Sequence, residues 1–222
     1  YARIGVPHCP VCGRVIRQFL GESDAFMSRI PCLRQVRYKM TAQDVKNRVT
    51  EHLSKLPYAL QENQFNLIDS HDISRLHNNP DVNREEYLGA VMLQFAMIGA
   101  PSIYYGDEME IEGWYGTIEG CRFPMPWGKE YESSEVYRLT RTLAKLKQES
   151  EALKNGGFKF LYADNGVVAV ARFAKEEAYV AVLSTNSVET KVTLPLGAIG
   201  AKGFESDVTG RAVEWDVLDQ NH

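Results

Sequence analysis

Few cysteines, no surplus of positive charge and no long apolar run set the first limits on this chain of 222 residues. Its four cysteines, Cys9, Cys12, Cys32 and Cys121, lack the dense spacing of a secreted disulfide scaffold. They are expected to be mostly reduced, with the cytoplasm as the favoured compartment. Lys and Arg number 25 against 29 Asp and Glu, a net charge of -4. No basic field exists to attract a phosphate backbone, so nucleic acid is a poor default partner. The longest apolar stretch, residues 91–98, falls well short of the roughly 20 residues that span a bilayer, and no membrane anchor is expected. A glycine-rich Walker loop is also missing, which excludes nucleotide hydrolysis of that type. What remains is 44% apolar and 24% charged, a composition that folds, and at this length it accommodates two cores. The opening YARIGVPHCP has neither an initiator Met nor a targeting pattern, so truncation is expected.

Hydrophobic spacing divides the chain. Val45, Val49, Leu53 and Leu56 mark one face of a helix over 41–56, with Thr41 as its cap, Asp44 in its first turn and Pro57 as its stop. A short strand follows at 64–68. A second helix runs from about 84 to 98, with Tyr87, Val91, Phe95 and Ile98 on one face and enough further apolar residues to be covered on most sides. Gly99 and Pro101 end it, and a strand over 102–105 leads into Gly-Asp-Glu at 106–108. Strand, helix, strand in that order predicts a parallel crossover whose polar clusters, 69–75 and 106–108, both sit at strand carboxyl ends. A third helix is expected over 135–154, stopped by Asn155 and Gly156. Thereafter the pattern becomes all-β, with strands at 158–162, 167–173, 178–184, 188–194 and about 212–217, punctuated by DNG at 164–166 and KEE at 175–177.

Several residues could carry chemistry. Asp69, His71, Asp72 and Arg75 crowd the end of the first strand. A carboxylate beside an imidazole can grip vicinal hydroxyls or a cationic transition state, although a capped surface turn would look similar. Asp107 and Glu108 could serve as acid and base, but neighbouring residues usually point apart, and a rim salt bridge or cap is an equal reading. Trp114, Tyr115, Phe123 and Trp127 interleave with Arg122, suited either to stacking on sugar rings or to a loop minicore. Cys9 and Cys12 form half of a zinc knuckle without a second pair, so no metal is expected. Cys121 reads as a buried small hydrophobe rather than a nucleophile.

Three segments in order, 65–75, GAPSIYYGDE at 99–108 and CRFPMPW at 121–127, resemble glycoside hydrolase family 13, the α-amylase family, in its cyclomaltodextrinase and neopullulanase-like branch. The resemblance implies an α/β plus all-β chain: the carboxyl-terminal part of a (β/α)8 barrel, about strands six to eight, followed by an antiparallel β-sandwich, domain C. The implied division is an atypical segment at 1–19, a partial barrel at 20–156 and the sandwich at 157–222. Residues 20–27 resemble strand six. By the same resemblance Asp72 is the third, transition-state-stabilising carboxylate. His71, Arg75, Arg122 and Trp127 would bind substrate, with Arg75 orienting neighbouring acids, while Asn66, Tyr105, Asp107 and Glu108 would be structural rim residues. Residues 1–16 instead resemble a segment of the DNA-damage ATPase of excision repair.

The family's nucleophilic Asp and general-acid Glu belong to motifs absent from this sequence. Retaining hydrolysis needs those two carboxyls about 5 Å apart, and a whole barrel takes about 250 residues. The chain is therefore expected to be a fragment of a retaining α-glucan hydrolase, inactive alone, with an α-glucan or cyclodextrin as substrate and no cofactor. Open parallel edges would invite self-association or a missing amino-terminal half. A noncatalytic glucan-binding or structural module is the competing reading.

Overall fold

The computed structural model describes residues 40–114, 116–128 and 131–209. Cys9, Cys12, Cys32, the segment 1–19, the strand expected near 20–27 and that near 212–217 lie outside the described residues. The first described helix, α1 (Ala42–Ser54), begins with the expected capping box: Thr41 Oγ1 accepts from the Asp44 amide at 3.1 Å, and Asp44 accepts from the Thr41 amide at 3.0 Å. A one-turn helix, α2 (Tyr58–Gln61), leads to the short strand β1 (Phe65–Leu67).

Helix α3 (Arg84–Ala96) starts from a second capping box, Asn83 with Glu86, both bonds 2.9 Å. Tyr87, Leu88, Val91 and Phe95 are buried with Ile68, Leu76, Val136, Leu139 and Leu143 in one core cluster. Strand β2 (Ala100–Ser102) then pairs parallel to β1, Phe65 facing Ala100 and Leu67 facing Ser102, which is the expected crossover. The strand lies two residues earlier than the expected 102–105. The chain turns at Tyr104, whose carbonyl accepts from the Asp107 amide at 3.1 Å, and this consumes the aromatic end of the apolar run. Gln94 of α3 fastens both strands from beneath, its side-chain amide donating to the Asn66 carbonyl at 2.8 Å and the Ser102 carbonyl at 3.0 Å. Asn66 in turn donates to the Ile98 carbonyl at 2.9 Å.

The expected third helix is two: α4 (Glu135–Glu149) and α5 (Glu151–Asn155). Ser150, extended at φ -85 and ψ 129, caps α5 by accepting from the Leu153 amide at 3.0 Å. A serine that satisfies a backbone amide locally competes with helix continuation. Glu177 seals the break from the KEE turn, its Oε1 accepting from Ser150 Oγ and the Ala152 amide, each at 2.8 Å.

Strands β3 (Gly157–Asp164), β4 (Val167–Phe173) and β5 (Ala178–Ser184) form an antiparallel sheet in that order. The β3–β4 hairpin turns through Asn165 at φ 47 and Gly166 at φ 74, the doubly left-handed geometry that asparagine–glycine pairs favour. Residues 188–194 form no strand. Their alternating pattern finds no ladder partner among the described residues, and Leu194 instead packs beside Leu161, Ala169, Ala171 and Ile199. A three-stranded antiparallel sheet is thus present, as part of a sandwich would require.

Sheet and helices share a core, with Ala42 of α1 and Ala96 of α3 packed on Ala163, Val168 and Val170. Arg172, 1% exposed, crosses this junction. Its guanidinium donates to the carbonyls of Met97 at 2.9 Å and Gly156 at 3.1 Å. Lys147 Nζ donates to Phe95 and Met97 carbonyls at 3.3 and 3.2 Å, and burial pushes its pKa down to about 8. Replacing Arg172 with Leu is expected to cost about 2–4 kcal/mol, because it strands buried carbonyls. A urea midpoint unchanged from the parent would contradict this.

Candidate active-site rim

The two polar segments that follow β1 and β2 meet, and one side chain joins them. Arg75 is fully buried. Its Nη1 contacts Asp107 Oδ1 at 2.5 Å, its Nη2 donates to the Tyr105 carbonyl at 2.8 Å, and its guanidinium lies 4.6 and 5.3 Å from the ring centroids of Tyr104 and Tyr105. The Arg75 amide donates to Gly113, so the strand-end loop is also pinned to the chain beyond the second turn. Gly106 lets the second turn close back on Ile111. At φ 87 it turns left-handed, and a Cβ there would lie 2.3 Å from Ile111.

Asp69 faces inward too, 1% exposed, with both carboxylate oxygens accepting from the Leu76 amide at 3.0 and 3.1 Å. Burial, reinforced for Asp107 by the charge of Asp69 and opposed by Arg75, raises Asp69 to about 6 and Asp107 to about 8. One guanidinium faces two buried carboxyls, so the pair together binds protons more tightly than exposed carboxylates do. Asp69, His77 and Asp107 bring ligand-type atoms within 4.8 Å of one another. Arg75 already supplies positive charge there, and His77 Nε2 engages the Ile111 carbonyl at 3.0 Å.

Asp72 and His71 turn outward. His71 Nε2 lies 3.2 Å from Asp72 Oδ1, and Arg122 Nη2 approaches the same oxygen at 3.4 Å, with the Asp72 side chain 70% exposed. The Arg122 loop is hung from the second turn: Tyr104 and Tyr105 hydroxyls donate to the carbonyls of Cys121 at 2.9 Å and Phe123 at 2.7 Å. Cys121, 1% exposed, donates its thiol to the Ile73 carbonyl, consistent with a buried small side chain. Arg122 is thereby bracketed by two anchored neighbours. Trp127 stands farther along this loop, 77% exposed, and Trp114 is 37% exposed; Tyr115 lies outside the described residues.

Asp72, His71 and Arg122 come together on an open surface. Arg75, expected to contact substrate, has no exposed surface and can act only by holding Asp107 and the two turns. Asp107 lies in the buried ion pair with Arg75, and Glu108 accepts from the Gly106 amide at 2.9 Å. Sequence reasoning gave no structural role to Asp69 or Tyr104. The available signal was their position directly after an apolar strand, where an inward-facing polar residue must find a partner.

No family model matches the chain. Over 144 residues it is 33% identical to a cyclomaltodextrinase from a Bacillus species, covering 65% of this chain and 25% of that enzyme. It is 28% identical to neopullulanase 2 of Thermoactinomyces vulgaris, covering 71% and 27%. A debranching enzyme from Nostoc punctiforme, solved after soaking with acarbose, superposes with a TM-score of 0.66 at 26% identity, covering 78% of this chain and 37% of that one. The chain is thus homologous to part of the α-amylase family, glycoside hydrolase family 13, and its relatives there are glycoside hydrolases of the cyclomaltodextrinase and neopullulanase kind. It spans about a quarter of the length of these curated relatives. The likeness of residues 1–16 to the excision-repair ATPase finds no support in these relatives, and those residues lie outside the described ones.

Both buried carboxyls bind a proton more tightly folded than unfolded. Their contribution to stability is therefore greatest below about pH 4, the unfolded carboxylate range, and declines as pH rises toward about 8. Asp107→Asn, which removes one of the two coupled carboxyls, is expected to flatten that decline relative to the parent, read as melting temperature between pH 4 and 8. Asp107→Ala, which leaves Arg75 buried without its counter-ion, is expected to cost about 3–5 kcal/mol. Parallel pH profiles for parent and Asn variant would contradict this account.

Proposed function

We propose that this chain is the carboxyl-terminal part of a retaining α-glucan hydrolase, acting on α-1,4- and α-1,6-linked glucans or cyclodextrins. Asp72 is its transition-state-stabilising carboxylate. The observation that carries the reading is the convergence of His71 and Arg122 on one exposed oxygen of Asp72, 3.2 and 3.4 Å away, at a strand's carboxyl end. A carboxylate so held accepts from vicinal sugar hydroxyls and opposes positive charge developing at the anomeric carbon. His71 and Arg122 donate to the same ring, and Trp127 offers a flat apolar face for a neighbouring sugar.

The nucleophile and general acid come from polypeptide that supplies the preceding barrel strands. Phe65 at 76% and Leu67 at 55% exposure, alternate residues on one face of β1, support this, because parallel sheets are normally buried on both faces. The partial barrel at 20–156 and domain C at 157–222 follow from the same reading. Among the described residues no helix is long and apolar enough to cross a membrane, and the sparse cysteines suit a cytoplasmic site.

The test is complementation. The chain alone is expected not to hydrolyse β-cyclodextrin, whereas a mixture with a polypeptide carrying the preceding strands of the family barrel, including its Asp and Glu, is expected to do so. Asp72→Asn in the mixture should lower turnover about 100-fold or more. Hydrolysis unaffected by that substitution, or supported by the chain alone, would overturn the proposal.

A further inference from the structure

Arg122 reaches Asp72 through one long contact, 3.4 Å, between side chains 57% and 70% exposed. An ion pair so solvated is too weak to fix either partner. The position of Arg122 must therefore come from its neighbours along the chain. Within the loop, the Arg122 amide donates to the Glu119 carbonyl at 3.2 Å and the Gly120 amide to Thr117 Oγ1 at 3.0 Å. Those bonds shape the loop without fastening it to the strand ends.

Cys121 supplies the fastening at two points. Its carbonyl accepts from the Tyr104 hydroxyl of the second turn at 2.9 Å, and its buried thiol donates to the carbonyl of Ile73, the residue after Asp72. The thiol bond thus joins the immediate neighbour of Arg122 to the immediate neighbour of Asp72. Burial pushes the thiol's pKa up, so it keeps the proton that it donates. Alanine at this position would take the donor away from the Ile73 carbonyl, whereas serine would retain one. We propose that Cys121 is a positioning residue of the rim, whose thiol sets the reach of Arg122 to the Asp72 carboxylate. Its consequence for turnover rests on the glucan reading above; its hold on Arg122 does not.

Relaxation NMR of the Arg122 Nε–H group in the full chain tests the positioning directly, and kcat/KM for β-cyclodextrin in the complemented mixture tests its consequence. Cys121→Ala is expected to lower the heteronuclear NOE of Arg122 Nε toward that of an untethered arginine and to lower kcat/KM about tenfold, because small misplacements of a binding group are costly. Cys121→Ser, which keeps a donor, should stay within about threefold of the parent. In an Arg122→Ala background, Cys121→Ala should add less than about twofold, since the residue that it positions is already gone. If Cys121→Ala does not fold, Tyr104→Phe, which removes the hydroxyl of the other tie, carries the same expectation for Arg122. An unchanged Arg122 NOE in these variants would overturn the positioning, as would a Cys121→Ser chain as loose as the alanine variant or losses that add in full to those of Arg122→Ala. A looser Arg122 together with unchanged kcat/KM, or with a parent mixture that is inactive, would uphold the positioning and count against the glucan reading.

Discussion

The buried guanidinium of Arg75 is the contact on which the arrangement of the rim depends. It sits between an ion pair with Asp107, the Tyr105 carbonyl and two tyrosine rings. Charge this deep is costly to desolvate and persists only when paired and hydrogen-bonded. That requirement forces the turn after β1 to meet the turn after β2. The same tyrosines then reach the Cys121 and Phe123 carbonyls, so the loop bearing Arg122 is placed by groups that already surround Arg75. Asp72 and Arg122 are fifty residues apart and meet because each is attached to this one buried charge.

A comparable economy holds where the sheet joins the helices. Met97 ends α3, and its carbonyl receives both Lys147 and Arg172, from α4 and β4 respectively. Cations at a helix carboxyl end satisfy carbonyls that have no partner within the helix. Ser150 and Glu177 do the complementary work at an amino end, seating α5 against the β4–β5 turn. Sheet and helices are thus bound through backbone groups at helix ends as well as through the alanine-lined core between α1, α3 and the sheet.

On the proposed function, the molecule divides its carboxylates by environment. Asp69 and Asp107, buried, hold structure, one through the Leu76 amide and the other through the Arg75 guanidinium. Asp72, outward and solvated, is left to act. The exposed Phe65 and Leu67 on β1 mark where the rest of a catalytic apparatus would pack.

The sequence alone determined whatever depends on local chemistry. Capping boxes at Thr41 and Asn83, the asparagine–glycine turn at 165–166 and the buried face of α3 follow from hydrogen bonds or periodicities completed within a few residues. Three ordered motifs also carried the family resemblance. Tertiary structure decided what depends on distant partners. It split the third helix at Ser150 because Glu177 was there to cap the break, gave 188–194 no ladder partner among the described residues, and moved β2 toward Pro101. It also separated Arg75 from Asp72, burying one and exposing the other three residues away. Spacing along a chain cannot reveal which of two neighbouring polar groups will find a counter-charge thirty residues on, since burial is a property of the packed whole.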